Sequence, residues 1–145
     1  MLPRKDDDSS DWFLVYQDLD VARSLKASLL VVGTERLVLS LVSSLAADVD
    51  PDFVIRCRDG LLRLPRTASQ SDTVVLYDVD ALKQEDQLRF LDWLNSASKR
   101  IQVISTASEP LMGLVAARAF DAALYYRLNM VYIDLTAERL RRSLY

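Results

Sequence analysis

Asp78 and Asp80 stand two residues apart at the end of the apolar run Thr73-Val-Val-Leu-Tyr77. Two carboxylates at that spacing can hold a hard cation such as Mg²⁺, or act as an acid and base pair. The same pattern is purely structural if one carboxylate caps the helix beginning near Leu82 and the other faces water. With no phosphate-binding loop elsewhere in the chain, the structural use is the one we favour. The sequence has 0 histidines, which removes the usual metal ligand and the commonest general base, so zinc chemistry and Ser-His or Cys-His catalysis are not expected. The single cysteine, Cys57, cannot form an internal disulfide; at the end of an apolar run it reads as a small core residue rather than a nucleophile.

The elements that must position these residues alternate between two periodicities. From Trp12 to Leu25, Phe13, Tyr16, Leu19 and Ala22, with Val15, recur at helical spacing. Ser28–Val32 reads as a buried strand. Leu37, Leu41 and Leu45, with Val38 and Val42, form a helical stripe for which Thr34 is the N-cap. Asp52–Arg56 and Thr73–Tyr77 are further strands, Glu85–Ala97 a helix burying Leu88, Leu91 and Trp93 or Leu94, and Gln102–Ser105 a fourth strand. Ser108-Glu-Pro110 opens a helix to about Ala119, since Pro is tolerated in a first turn. Val131–Leu135 is a fifth strand and Thr136 caps a last helix to Leu144. Apolar strands alternating with amphipathic helices predict a three-layer α/β sandwich around a five-stranded parallel sheet.

At 145 residues, 50% hydrophobic and 27% charged, the chain suits one core-forming domain. We expect a flexible acidic leader over residues 1–10 and a single α/β domain over 11–145. A net charge of −3 and a pI near 4.9 give no broad basic surface, so nucleic acid is not an expected partner. Arg139, Arg141 and Arg142 read as the solvated face of the last helix rather than as phosphate contacts. No run of about 18 apolar residues occurs, and the first ten residues lack the apolar stretch of a signal peptide, which points to a cytoplasmic protein without a membrane span. Trp12 and Phe13, beside the leader, are the candidate anchors for a protein partner if they do not fold back onto the domain.

The stretch Phe120-Asp-Ala-Ala-Leu-Tyr-Tyr-Arg-Leu-Asn-Met130 closely resembles the end of the ATPase core in sigma-54-dependent transcriptional activators. Leu19–Gly33 is similar to that family's helix, strand and first glycine, Pro51–Cys57 to its second strand, and Val74-Val-Leu-Tyr-Asp-Val-Asp-Ala-Leu82 to its Walker B segment. The resemblance implies a P-loop NTPase core of the AAA+ type, with Phe120, Tyr125 and Tyr126 packed against the sheet and Arg127 as a structural hydrogen-bonder.

The departures are as specific as the matches. After Gly33 the family supplies a glycine-rich loop and a lysine, because backbone N–H groups must wrap phosphates; here Thr34-Glu35-Arg36 follows at once, about four residues short. Glu35 suits a helix N-terminus by itself but repels a nucleotide. Tyr77 and Asp78 occupy the two Walker B acid positions, and sliding by one residue leaves Val79 at the second. Ala107 stands at the polar sensor, and Ala119 and Asp121 at the two arginine fingers. The sigma-contact loop has no counterpart in Arg58–Asp72, and no helical lid or helix-turn-helix follows. Each lost charge-assisted contact is worth on the order of 1.5–3 kcal/mol, so three or four losses erase micromolar affinity.

The resemblance therefore implies a degenerate, non-catalytic regulatory or adaptor domain, without cofactor or metal, that keeps Gly33, Asp78 and Asp80 as vestiges. Its partner would be a protein, either a sigma-54 activator or another regulator, with homo-oligomerisation through the small-residue face of 109–119 also open. Two alternatives remain at this stage. One is a receiver-like phospho-acceptor, with Asp78 and Thr106 at consecutive strand ends. The other is a small Mg-dependent carboxylate enzyme built on Asp78 and Asp80.

Overall fold

The computed structural model describes residues 10–65 and 72–136. In chain order the elements are α1 (Ser10–Leu25), β1 (Leu29–Val32), α2 (Glu35–Leu45), β2 (Val54–Arg56), β3 (Thr73–Tyr77), α3 (Gln84–Asn95), β4 (Gln102–Ala107), α4 (Met112–Ala116), α5 (Ala122–Leu128) and β5 (Val131–Asp134). Single 3-10 turns, Pro51–Phe53 and Val79–Ala81, lead into β2 and away from β3. The proposed last helix from Thr136, its arginines, and the first nine residues lie outside the described residues.

The five strands form one parallel sheet in the order β2-β3-β4-β1-β5. Every residue of β1, β3 and β4 is buried, as expected where helices cover both faces. Alternation along the strands feeds two cores. Leu29, Val31, Val75, Ile104 and Ile133 meet α1 and α2 through Trp12, Leu19, Val38 and Leu41. Leu30, Val32, Val74, Leu76 and Val103 meet α3 and α5 through Phe90, Leu94, Leu124 and Leu128.

This order also corrects the receiver-like alternative. A sheet of that type runs 2-1-3-4-5, which places the first strand beside the third. Here β4 lies between β1 and β3, so residues after the first strand cannot assemble directly with Asp78 as a receiver requires.

Three helical details differ from the periodicity reading. In α1 the buried face is Trp12, Val15, Leu19 and Ala22, with Tyr16 half-buried and Phe13 41% exposed. Val15, Leu19 and Ala22 are buried as expected, and the difference is confined to the first turn, where the larger apolar side chain, Trp12, goes inward in place of Phe13 and removes more area from water. In α3 the inward stripe is Asp86, Gln87, Phe90 and Leu94, while Leu88 is 52% exposed. The expected helix over 110–119 is only the short α4; Arg118 takes a positive φ of 60°, and the N–H groups of Ala119 and Phe120 both donate to Leu114 O. A separate α5 then starts at Asp121, whose side chain accepts a capping bond from Leu124 N.

Candidate functional site

In an open parallel sheet the place for a ligand is the crevice at the carboxyl ends of the strands. In this chain β1, β3 and β4 bring Gly33, Asp78 and Thr106–Ser108 to that edge. β4 links the rest: Gly33 N donates to Ala107 O at 3.0 Å, Asp78 N donates to Thr106 Oγ1 at 3.0 Å, and Ser108 Oγ donates to Asp80 Oδ2 at 2.8 Å. The sequence-predicted positions Gly33, Asp78 and Asp80 therefore belong to one constellation. Trp12 and Phe13 are on α1, where Trp12 joins the core cluster that also contains Leu135.

The connection from β1 to α2 is two residues, Gly33 and Thr34. Gly33 is buried, and a Cβ placed on it would come within 2.9 Å of Leu135 Cβ and 3.4 Å of Val38 Cγ1. Leu135 is held there by its N–H, which donates to Val32 O at 2.7 Å and continues the parallel ladder of β5 with β1, so Leu135 stands beside Gly33. Thr34 has N-cap backbone angles, φ −62° and ψ 149°, yet its hydroxyl makes no capping bond, and Glu35 supplies an acid in the first turn. That acid complements the positive end of the helix dipole.

Asp78 adopts the left-handed conformation, φ 61° and ψ 51°, at the start of the 3-10 turn that carries Asp80. This bend turns both carboxylates towards Arg58, from the turn after β2. Arg58 Nε lies 3.3 Å from Asp78 Oδ2 and Nη2 lies 3.8 Å from Asp80 Oδ2. The pair that could have taken a divalent cation is thus already served by a guanidinium. Asp80 Oδ1 is buried without a hydrogen-bond partner. Among the described residues no group of three or more His, Cys, Asp or Glu side chains could hold a metal ion. Cys57, beneath this cluster, has its thiol pushed up to about 12, first by burial and then by Asp78, Asp80 and Asp86. A neutral thiol of that kind is a core group and a poor nucleophile.

The segment at the resembling family's arginine-finger positions is tied down from α3. Buried Gln87 donates through Nε2 to Leu82 O and Ala119 O, each at 3.0 Å, and accepts from Asp121 N at 2.7 Å. Gln84 Nε2 adds a bond to Arg118 O at 2.8 Å. Phe120 and Tyr125 are buried as the resemblance implies, but Tyr126 is 68% exposed. Arg127 Nη1 donates to Asn95 Oδ1 at 2.5 Å.

Arg58 and Gln87 were not singled out from sequence. The signal for Arg58 was its place two residues past the end of a strand that runs parallel to the one ending in the Asp pair. For Gln87 it was a polar residue in register with Phe90 and Leu94.

Trp12 is fully buried and packs within 6.3 Å of Tyr16, centroid to centroid, so of the two candidate anchors only Phe13 presents surface. No helix among the described residues is long and apolar enough to cross a membrane.

Comparison with known proteins points to one family. A model described as a sigma-54 interaction domain matches residues 9–137. Among solved structures, NtrX from Brucella abortus in complex with ATP superposes with a TM-score of 0.63 at 15% identity, covering 88% of this chain and 37% of that one. The chain therefore spans little more than a third of NtrX. The P-loop NTPase domain of the sigma-54 transport activator from E. coli gives a TM-score of 0.56 at 18% identity, covering 81% of this chain and 93% of that domain. Both likenesses are of fold, an α/β domain of the P-loop NTPase kind. No curated protein matches significantly.

Proposed function

Since the chain belongs to the sigma-54 interaction domain family, we propose that it is a non-catalytic member, a regulatory or adaptor domain that works through protein contacts. The observation that carries this reading is the two-residue turn between β1 and α2, with Leu135 packed against Gly33. A triphosphate needs several consecutive backbone N–H groups curled around it and a cation to neutralise it. Gly33-Thr34 offers neither the length nor the charge, and Glu35 adds a repelling carboxylate. The residues at this edge do not fit the ATP that the NtrX relative carries.

Three further observations support the same reading. Arg58 offsets one of the two negative charges of Asp78 and Asp80, which weakens the pull on Mg²⁺ and with it the alternative of a carboxylate-dependent enzyme. Ala107 contributes only its backbone to Gly33. Asp121 caps a helix where an arginine finger would project.

The partner on this reading is a protein of transcriptional or signalling control in the cytoplasm, foremost a catalytically intact sigma-54 activator whose ring this domain joins or blocks. Phe13, exposed on α1, is the proposed anchor. A test is to add the chain to a purified activator ATPase and follow sedimentation and ATP turnover together. Complex formation with a stoichiometric change in turnover, weakened by Phe13→Ala, is the expected result; independent sedimentation with unchanged turnover rejects the activator as partner.

A further inference from the structure

β5 is an edge of the sheet: among the described residues it pairs only with β1. Val131 N donates to Ser28 O at 3.0 Å and Leu135 N to Val32 O at 2.7 Å, so the odd-numbered residues turn their backbone towards β1. With a strand period of two, the N–H and C=O groups of Met130, Tyr132 and Asp134 face away from the sheet. Such a row is a template for another strand, and edges that must stay unpaired are guarded by lysine, proline or a bulge. Met130-Val-Tyr-Ile-Asp-Leu135 has no lysine or proline, and its register with β1 is unbroken from Val131 to Asp134. The opposite edge differs, since β2 has only three residues and ends in Arg56.

The side chains of this row are arranged by charge. Ile133 and Leu135 enter the core beneath α1, so Tyr132 takes the other face of the sheet with Met130 and Asp134. Met130 is 54% exposed and Tyr132 36%. Burial raises the Tyr132 phenol, and Asp134 and then Tyr125 raise it further, as expected of neighbours on that face. Arg100 reaches the start of the row, where its Nη2 lies 3.3 Å from Met130 Sδ. Among the described residues no carboxylate pairs with Arg100. Asp134 stands at the far end, with Oδ1 accepting from Thr136 N at 2.8 Å and from the Thr136 hydroxyl. The edge is thus positive at one end, aromatic in the middle and negative at the other.

We propose that this edge binds a second copy of the chain, the two β5 strands pairing antiparallel about a twofold axis at Tyr132. In that register Tyr132 faces its own counterpart and Met130 faces Asp134 of the second copy. All three pairs are of the kind that exchanges two backbone hydrogen bonds. Opposed side chains lie about 4.5–5.5 Å apart, so the guanidinium resting on Met130 meets the carboxylate of Asp134 from the second copy, twice by symmetry. Parallel pairing in register would instead set Arg100 against Arg100 and Asp134 against Asp134. The twofold contact consumes the edge and stops at two chains, whereas β5 added to β2 of another copy would leave edges free and grow into a filament. The contact is independent of the nucleotide question, since it uses neither Gly33 nor Asp78.

The test is sedimentation equilibrium of the whole chain from micromolar to millimolar concentration, where the mass is expected to rise from 16.4 kDa to twice that value. Tyr132→Pro removes an N–H that faces the open edge and no bond to β1, so it should keep the native circular dichroism and weaken the dimer about tenfold or more. Arg100→Glu, at an exposed position, should weaken it comparably, and combining it with Asp134→Arg should restore it, a rescue that local damage cannot mimic. Under mild oxidation Tyr132→Cys should link two chains, because the opposed Cα atoms lie about 5.5 Å apart, whereas Asp134→Cys should not. Cys57 is buried and stays out of this reaction. A mass of 16.4 kDa at every concentration, growth beyond two chains, a dimer indifferent to Tyr132→Pro and to the charge reversal, or cross-linking at position 134 in place of 132 would overturn the proposal.

Discussion

Leu135 and Gly33 are in such close approach that a Cβ on Gly33 would sit 2.9 Å from Leu135 Cβ. Backbone-linked atoms on both sides cannot yield easily, so Gly33→Ala forces a shift of the chain leaving β5. We expect a loss of about 1–3 kcal/mol, the range for overpacking a tight core. Leu135→Gly, which removes that Cβ with the rest of a buried side chain, should itself cost at least about 2–5 kcal/mol. In the double variant the added cost of Gly33→Ala should shrink, because the Cβ it would meet is gone. Denaturant unfolding of the four chains measures this coupling, and strict additivity would contradict the contact.

Gln87 holds the 118–121 segment against α3. Gln87→Leu keeps the volume but leaves the Ala119 carbonyl and the Asp121 N–H without their partner, at a cost on the order of 2–4 kcal/mol. Asp121→Ala removes the cap of α5 and should cost about 1 kcal/mol. Thermal unfolding resolves both, and hydrogen exchange should place the loosening at α5 in each variant.

Arg58 supplies the positive charge beside Asp78 and Asp80. In Arg58→Met the two carboxylates lose that cation, and a divalent ion becomes their natural replacement. The melting temperature of the variant should rise on adding Mn²⁺ or Mg²⁺, whereas that of the parent chain should be insensitive. Equal metal responses in the two proteins would show that Arg58 does not serve this pair.

Burial raises the Cys57 thiol from an ordinary 9.0 up to about 12. Between those values the unfolded chain has released its proton and the folded chain has not, so the unfolded state binds fewer protons and stability falls as pH rises. The contribution is complete below pH 9 and lost towards pH 12. Cys57→Ser should flatten that slope. A thiol reagent at neutral pH should label the native chain far more slowly than the unfolded one.

Much of this architecture was legible in the sequence because its three central strands are buried on both faces and appear as apolar runs, with Thr73–Tyr77 recovered to the residue. Helix orientation was harder. Trp12 and Phe13 satisfy the same periodicity, and only tertiary packing decides which turns inward. Helix α5 escaped detection because its start is set by one side-chain cap, Asp121, and by a backbone N–H held from α3 through Gln87. At the site, Gly33, Asp78 and Asp80 were singled out by their match to motif positions of the resembling family. Arg58 was not, since its role depends on β2 lying beside β3, a relation that spacing along the chain does not reveal.

The most direct test of the account is calorimetric titration of the whole chain with ATP in the presence of Mg²⁺, paired with a phosphate-release assay. The turn Gly33-Thr34, with Glu35 behind it, predicts no saturable heat and no turnover above background. Saturable binding in the micromolar range, weakened when Thr34 or Glu35 is changed, would contradict it and make the domain a working nucleotide binder.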